Sequence, residues 1–429
     1  MSSFNASTRQ RRKTFLCLAV FTMNLLFSLN TLAGGLYLTQ VATPGSVGTA
    51  GVGNVVNNMG PDSAFTNPAG MTGIQADSMM AGIQVAVPVI EFDSSVATAG
   101  GKDGGNAGKV APIPGTYLVK VLSDDWRLGF SISGPLGGGV DYGKDFVGRY
   151  QATKSELAGV GLSPSLAYRV NDKLSIGGGV TFIYSKLDMD IALNQPGNLA
   201  DGEVSMEDLD DWGVQGFLGL TYQITDRAML GIVYRSESET DMRGDLKFKN
   251  LLGGAPPGNA LSSSLDSAKI SWDYPQMVSI GLKYKLTEQL SIMADVDWED
   301  WSEFSDNYVS ISGGTVNTNL DRNFDDTWHG GVALQYKFDD SHLVLAGISY
   351  DSSPVEDKYR TADLPVDEQL KVSVGFGRRG QGNLDYSVAL SYIYLGEGKI
   401  DQTVQGERFK GEFENNFIFF PSATINYRF

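Results

Sequence analysis

Residues 370–394 read LKVSVGFGRRGQGNLDYSVALSYIY. Leu370, Val372, Val374 and Phe376 fall on one face of an extended chain. After a short connection at Arg378–Asn383, Leu384, Tyr386, Val388, Leu390, Tyr392 and Tyr394 do the same. Strict alternation on both sides of a short polar connection predicts two antiparallel strands, each with two unlike faces. The pattern recurs toward the N-terminus. Trp126, Leu128, Phe130 and Ile132 alternate with small or polar residues, as do Leu174 to Tyr184, Trp212 to Tyr222, Val278 to Tyr284, Leu290 to Trp298 and Trp328 to Phe338. Short connections, such as Asn171–Lys173 and Leu286–Glu288, take turns with long ones, such as Leu187–Asp210, Ser236–Ser267 and Glu299–Asp326. Six short and seven long connections imply fourteen strands with both ends on the short-turn side. An even strand count, short turns at one rim and long loops at the other is the pattern of an all-β, transmembrane antiparallel barrel of the outer-membrane kind. A soluble sandwich would have no use for apolar residues facing away from its interior. At the C-terminus, Ala423, Ile425, Tyr427 and Phe429 continue the alternation, and the terminal aromatic resembles the signal read by the barrel assembly machinery.

The chain has 429 residues, 52 of them Gly, and only 19% are charged. After the first 33 residues no stretch is apolar for long enough to form a spanning helix. Arg9, Arg11, Arg12 and Lys13 precede an apolar run from Phe15 to Leu29, and small residues follow at Ala33–Gly35, which reads as a signal peptide cleaved after Ala33. Its removal shifts the net charge from −17 to −21 and takes away Cys17, leaving an acidic, thiol-free chain that disfavours nucleic acid as a partner. Two histidines, His329 and His342, leave little for catalysis or a metal cluster. His329 reads as a hydrogen-bonding residue of the lumen rather than the base of a phospholipase. The six acids in Asp201–Asp211 and the six in Asp295–Asp306 read as solvated loop surface, without the spacing of a calcium loop or a fixed glycosidase pair. No catalytic residue, cofactor or metal is expected.

A fourteen-stranded barrel encloses more space than its own side chains fill. The 44 residues from Gly34 to Asp77 lack sustained alternation, and their natural place is inside the barrel as a plug, with residues 78–429 forming the wall. By register Ile183, Phe217, Met229, Val233, Met277 and Met293 point inward, where a general polar porin would carry polar or charged groups. They are the candidate hydrophobic pocket, the alternative being that they pack against the plug.

At this point the chain resembles the FadL-like family of outer-membrane long-chain fatty acid and hydrocarbon transporters. Asn67-Pro68-Ala69 matches the family's hatch motif. Tyr234-Arg235-Ser236-Glu237, Trp301-Ser302-Glu303-Phe304 and Asp351-Ser352-Ser353-Pro354-Val355 follow in order. The resemblance implies a monomeric barrel with an N-terminal hatch. It also implies passive passage of a hydrophobic ligand sideways through a wall gap made by a kink in the third strand. Gly134-Pro135-Leu136-Gly137-Gly138-Gly139 is suited to that gap, because Pro135 cannot donate a ladder hydrogen bond and the glycines cannot pack a wall. The other reading is that the strand ends at Ser133. Fatty-acid members place basic side chains near the ligand carboxylate. The comparable stretches here hold Met189, Asp325 and Asp326, with Lys186 and Arg322 nearby. Long-chain fatty acids are the first expectation for the substrate, and neutral or aromatic hydrocarbons stay open. The expected location is the Gram-negative outer membrane, with both termini periplasmic and membrane lipid around the wall.

Overall fold

The computed structural model describes residues 40–197, 199–251, 265–304, 306–311, 316–380 and 382–429, so the signal-peptide reading lies outside the described residues. Nineteen extended segments share a single sheet. Ten of them join in pairs across short breaks, which gives fourteen wall strands among the described residues. These are β1 (Ser78–Ala97), β2 (Ala111–Val121), β3 (Trp126–Asp141), β4 (Lys154–Arg169), β5 (Leu174–Leu193) and β6 (Gly202–Thr225). Next come β7 (Ala228–Arg235 with Ser238–Lys249), β8 (Ser267–Tyr274 with Met277–Lys285), β9 (Leu290–Glu299 with Asp306–Ile311) and β10 (Val316–Asp321 with Thr327–Lys337). The last are β11 (His342–Asp351), β12 (Gln369–Arg379), β13 (Leu384–Tyr394 with Ile400–Val404) and β14 (Glu407–Arg428). Each pairs antiparallel with its neighbours in sequence. The sheet closes because β1 pairs with β2 on one side and with β14 on the other, from Ser78↔Arg428 to Ala97↔Phe409.

The alternation in the sequence sets which way the side chains face. On the outside stand Leu218 at 63% exposure, Phe338 at 62% and Trp328 at 57%, values that suit lipid rather than water. Aromatic pairs flank this apolar band at both rims: Trp126 with Tyr168 and Tyr336 with Phe338 near the short turns, Tyr184 with Trp212 and Tyr392 with Phe417 toward the long loops. No helix among the described residues is long and apolar enough to cross a membrane. The strands make the crossing.

The strands run further than the hydrophobic pattern implies. Leu187–Asp210 reads as a loop, yet β5 continues to Leu193 and β6 begins at Gly202. Beyond the apolar band the outward face turns polar at Lys186, Asp188 and Asp190 while Leu187 and Met189 turn their apolar side chains inward, so the outward stripe ends while the hydrogen-bonded ladder goes on. Cross-strand ion pairs take over there, with Lys186 2.6 Å from Asp208 and Lys247 2.5 Å from Glu207. The acids of Asp201–Asp211 are therefore ion-paired strand surface rather than loop. Those of Asp295–Asp306 depart further from the reading: Asp295, Asp297 and Glu299 are buried on the inward face of β9.

Candidate functional site

Residues 40–77 lie against the inward faces of strands all round the barrel. Gln40 Nε2 donates to Ser391 Oγ on β13, Ser349 Oγ on β11 donates to Ala50 O, and Ser165 Oγ on β4 donates to Ala64 O. The Arg235 guanidinium on β7 donates to Phe65 O and lies over the rings of Phe65 and Phe217. Asp62, fully buried, accepts from Thr43 Oγ1 at 2.8 Å, and burial pushes its carboxyl above the usual range although hydrogen bonds from Asn57 and Thr43 oppose the shift.

Asn67 is the hinge of this packing. It has extended backbone between a short helix (Ser63–Thr66) and a 3-10 turn (Pro68–Gly73), and its side chain takes part in three hydrogen bonds. Nδ2 donates to Val55 O at 2.6 Å and to Leu220 O of β6 at 3.2 Å, while Oδ1 accepts from Ala69 N at 3.1 Å. Pro68 needs no donor at the first position of the turn. The wall opposite is glycine for a steric reason. A Cβ on Gly219 would collide with Asn67 Oδ1 and come within 2.8 Å of Pro68 Cδ, and one on Gly177 would stand 2.7 Å from Ala69 N. Gly219→Val is therefore expected to unseat Asn67. Unpaired buried amide groups cost about 1–3 kcal/mol, so amide exchange in residues 60–74 should rise about tenfold or more, while the barrel stays folded on gels.

The six inward residues are all buried, but they do not form one pocket. Met229 and Met293 pack with Val52 and Val56 of the N-terminal segment. Phe217 lies beneath Arg235. Val233 and Met277 join no shared apolar cluster among the described residues. Ile183 alone enters the large apolar cluster toward the long-loop end, with Leu157, Leu187, Met189, Leu209, Ile270 and Trp272. There Phe304 packs on Trp272, Trp301 and Phe324 at ring-centroid distances of 4.6, 5.8 and 5.3 Å. Most of this cluster escapes the sequence reading because its residues lie beyond the outward apolar stripe, where the apolar positions have passed to the inward face. Trp301 and Phe304 stand out only as part of a motif. Aromatic residues inside stretches that read as solvated loops are the available signal. A cavity of about 530 Å³ lies at the other end, by the short turns; Met293 lines it, with Lys283, Asp339, Arg379, Asp385 and Arg428. Val56, Met80 and Leu345 line it as well, so its wall is mixed, and it is separate from the apolar cluster at the long-loop end.

The third strand is neither broken nor ended at Ser133. β3 continues to Asp141, with a register slip against β4 between Ser133 and Leu136. The break lies on its other edge. β2 pairs with β3 only as far as Thr116↔Ile132, whereas β2 stays paired with β1 as far as Ala111. Ala111–Gly115 and Ser133–Gly139 thus share no ladder pairing, although a Cβ on Gly134 would meet Ile113 Cγ2 at 3.0 Å, and pairing returns as an isolated bridge at Gly108↔Val140. Pro135 is buried at the lumen side, where a Cβ on Gly161 would meet its Cγ at 3.5 Å. An unpaired strand edge in a membrane wall is tolerated only where protein or a cavity covers it.

The profile of a family described as "Outer membrane protein transport protein (OMPP1/FadL/TodX)" matches residues 24–429. The chain belongs to this FadL/TodX family. Among similar members, a long-chain fatty acid transport protein of Escherichia coli O6:H1 is 24% identical, with 94% of this chain and 96% of the relative covered. Outer membrane protein P1 of Haemophilus influenzae is 23% identical over 89% and 91% of the two chains. Among solved structures, a Pseudomonas aeruginosa FadL homologue superimposes with a TM-score of 0.84 at 24% identity, covering 92% of this chain and all of that one. The Pseudomonas putida toluene transporter TodX gives 0.69 at 18% identity, covering 94% of this chain and 100% of that one. As a FadL/TodX member the chain is an outer-membrane β-barrel that transports hydrophobic compounds.

Proposed function

We propose that this FadL/TodX-family barrel takes up long-chain fatty acids by diffusion and releases them sideways through the gap between β2 and β3. The observation that carries this reading is the loss of pairing beyond Thr116↔Ile132 while both flanking ladders continue. In this reading residues 1–33 are the signal peptide, 34–77 the hatch and 78–429 the wall. Both termini are periplasmic, and the monomer enters the membrane through the assembly machinery with Phe429 as its signal. The apolar cluster around Trp272 and Phe304 receives the acyl chain, and movement of the hatch about Asn67 opens the way to the gap. No covalent step or cofactor is involved. The fatty-acid function of the Escherichia coli relative supports the substrate class.

One observation favours a neutral hydrocarbon as a second reading. Arg322 is 2.7 Å from Asp363 with both side chains buried, and Lys186 is held by Asp208 and Asp188. Lys186 shares the outward face of β5 with Tyr184, and Arg322, like Arg360 beside the cluster, already has a carboxylate partner, so a fatty-acid headgroup has to compete for the arginines. Mass spectrometry of small molecules retained by the purified barrel discriminates the two readings. Fatty acid at about one equivalent, reduced at least tenfold in Phe304→Asp, is the expected result. Retention of alkanes or aromatic compounds alone would transfer the assignment to hydrocarbons, and no hydrophobic molecule in any preparation would reject both.

A further inference from the structure

A group of lumen side chains takes no part in the transport path. Asp295 and Asp297 project inward two residues apart on β9, and His329 stands on β10 directly across from Asp297. The three are buried to 5%, 7% and 4% exposure, and each offers a ligand atom within 4.8 Å of the other two. We propose that they form a binding site for a divalent transition metal of the zinc type.

Three independent features point to a cation. First, Oδ1 of Asp297 is buried without a hydrogen-bond partner among the described residues. Buried carboxylate oxygens normally do not go unpaired. Second, the imidazole is already oriented as metal-binding histidines are. His329 Nδ1 is 3.0 Å from Asp351 Oδ1, and Asp351 is 2.9 Å from the buried Lys371 Nζ. A carboxylate that accepts Nδ1–H leaves the Nε2 lone pair free and fixes the ring, an arrangement typical of zinc-bound histidine. Third, that Nε2 faces Asp295 Oδ1 at 3.5 Å. This is long for a charge-assisted hydrogen bond, yet it matches the roughly 3.4 Å edge between two ligands held about 2.1 Å from a tetrahedral metal.

The charge balance agrees. Asp295, Asp297, Glu299 and Asp351 crowd one patch of the inner wall, where Lys371 is paired to Asp351 and His329, as a neutral ligand, adds no charge. A bound dication offsets this excess without requiring the carboxylates to be protonated. An imidazole with two carboxylates suits zinc better than calcium, which prefers six or more oxygens. The site also adjoins the N-terminal segment, because a Cβ on Gly331, the residue paired with Asp295, would strike both Val52 and Asp295 Oδ1.

The test uses the folded barrel in detergent, stripped with a chelator and dialysed against Zn²⁺. Wild type should retain one more equivalent of zinc than the double variant Asp297→Asn/His329→Gln, and Asp351→Asn should keep that equivalent with affinity lowered about 10–100-fold. Equal zinc content in wild type and the double variant overturns the proposal, as does no bound zinc in wild type, which would mean that protons alone neutralise the cluster. Should the double variant fail to fold, Co²⁺ bound to wild type replaces that comparison. Visible bands of a low-coordinate, nitrogen-ligated ion support the site, and a six-coordinate all-oxygen spectrum overturns it.

Discussion

Replacing Gly134–Gly139 with an alternating Val/Thr strand (G134V, P135T, L136V, G137T, G138V, G139T) is expected to abolish uptake of a hydrophobic substrate while leaving the barrel folded and in the outer membrane. β3 already pairs with β4 through this stretch, so its edge toward β4 needs little repair. What the substitution adds is a donor at position 135 and β-branched side chains toward β2, allowing the β2–β3 ladder to continue past Thr116↔Ile132. The effect is large because the alternative route is costly. A ligand leaving through the wall avoids the aqueous periplasm, and each CH₂ kept out of water is worth roughly 0.8 kcal/mol. Uptake of labelled oleate should fall to the level of cells lacking the protein. Uptake at the original rate by the folded variant would place the exit through the lumen, past Asn67–Ala69.

The second large effect is expected at the roof of the apolar cluster. Arg322 donates to Asn307 Oδ1, Thr361 Oγ1 and Asp363 Oδ1, and so ties the break in β10 to the loop between β11 and β12. Removing Asp363 leaves the guanidinium buried without its counter-charge, a loss that costs about 3–5 kcal/mol at such sites. Asp363→Ala should therefore release the loop, raising amide exchange across residues 355–366 by about two orders of magnitude or more at neutral pH. Burial alone would raise the Asp363 carboxyl, but Arg322 wins and holds it below the usual carboxylate range. A depressed folded-state value means that the pair contributes in full above the ordinary range, near 3.8, and loses its contribution as pH falls through the lower value. Loop protection in wild type should thus be flat through neutral pH and fail only in acid, while Asp363→Ala shows the unprotected level throughout. A wild-type loop that loosens between pH 8 and 6 would contradict this assignment.

The wall was legible in the sequence because lipid imposes a strict rule: every second residue must be apolar, and the rule holds for as long as the strand crosses hydrocarbon. Trp126–Ile132 and Leu384–Tyr394 are strands in the structure for that reason. Above the membrane the outward stripe ends: in Leu187–Leu193 the alternation passes to the inward residues Leu187, Met189 and Ile191, and in Gly202–Asp211 a register shift between Glu207 and Asp210 interrupts it, so neither stretch continues the outward pattern that marks a wall strand. For the inward residues the sequence left two readings, a pocket or packing against the plug, and Met229 and Met293 take the second. Inward register identified Met229 and Met293 correctly as buried, but register on one strand says nothing about what stands opposite, and Val52 and Val56 stand there. Beside Gly134–Gly139 the structure has a loss of pairing with β2, which the sequence of one strand does not reveal. Pro135 marked the right strand, but the edge that fails to pair belongs equally to β2, and pairing between two strands is written in neither alone. The alternation of Leu290–Trp298 put Asp295 and Asp297 on the inward face, but as acids amid other acids they read as solvated surface, and their burial shows only in three dimensions.

The seam between β1 and β14 has a bearing on how the molecule comes into being. Its partners, from Ser78 with Arg428 to Ala97 with Phe409, are 350 to 312 residues apart in the chain, and the seam cannot close until both strands are present. Until then both outer strands present open rows of donors and acceptors that will pair with any passing edge, and contacts this remote in sequence form slowly. The nascent chain therefore spends its most vulnerable period complete in composition but unfinished in topology. Residues 40–77, which touch strands on every side, have to be in position when the seam zips shut. The hydrogen bond from Phe429 N to Asp77 O, joining the C-terminus to the residue before β1, then becomes the clasp that records completion.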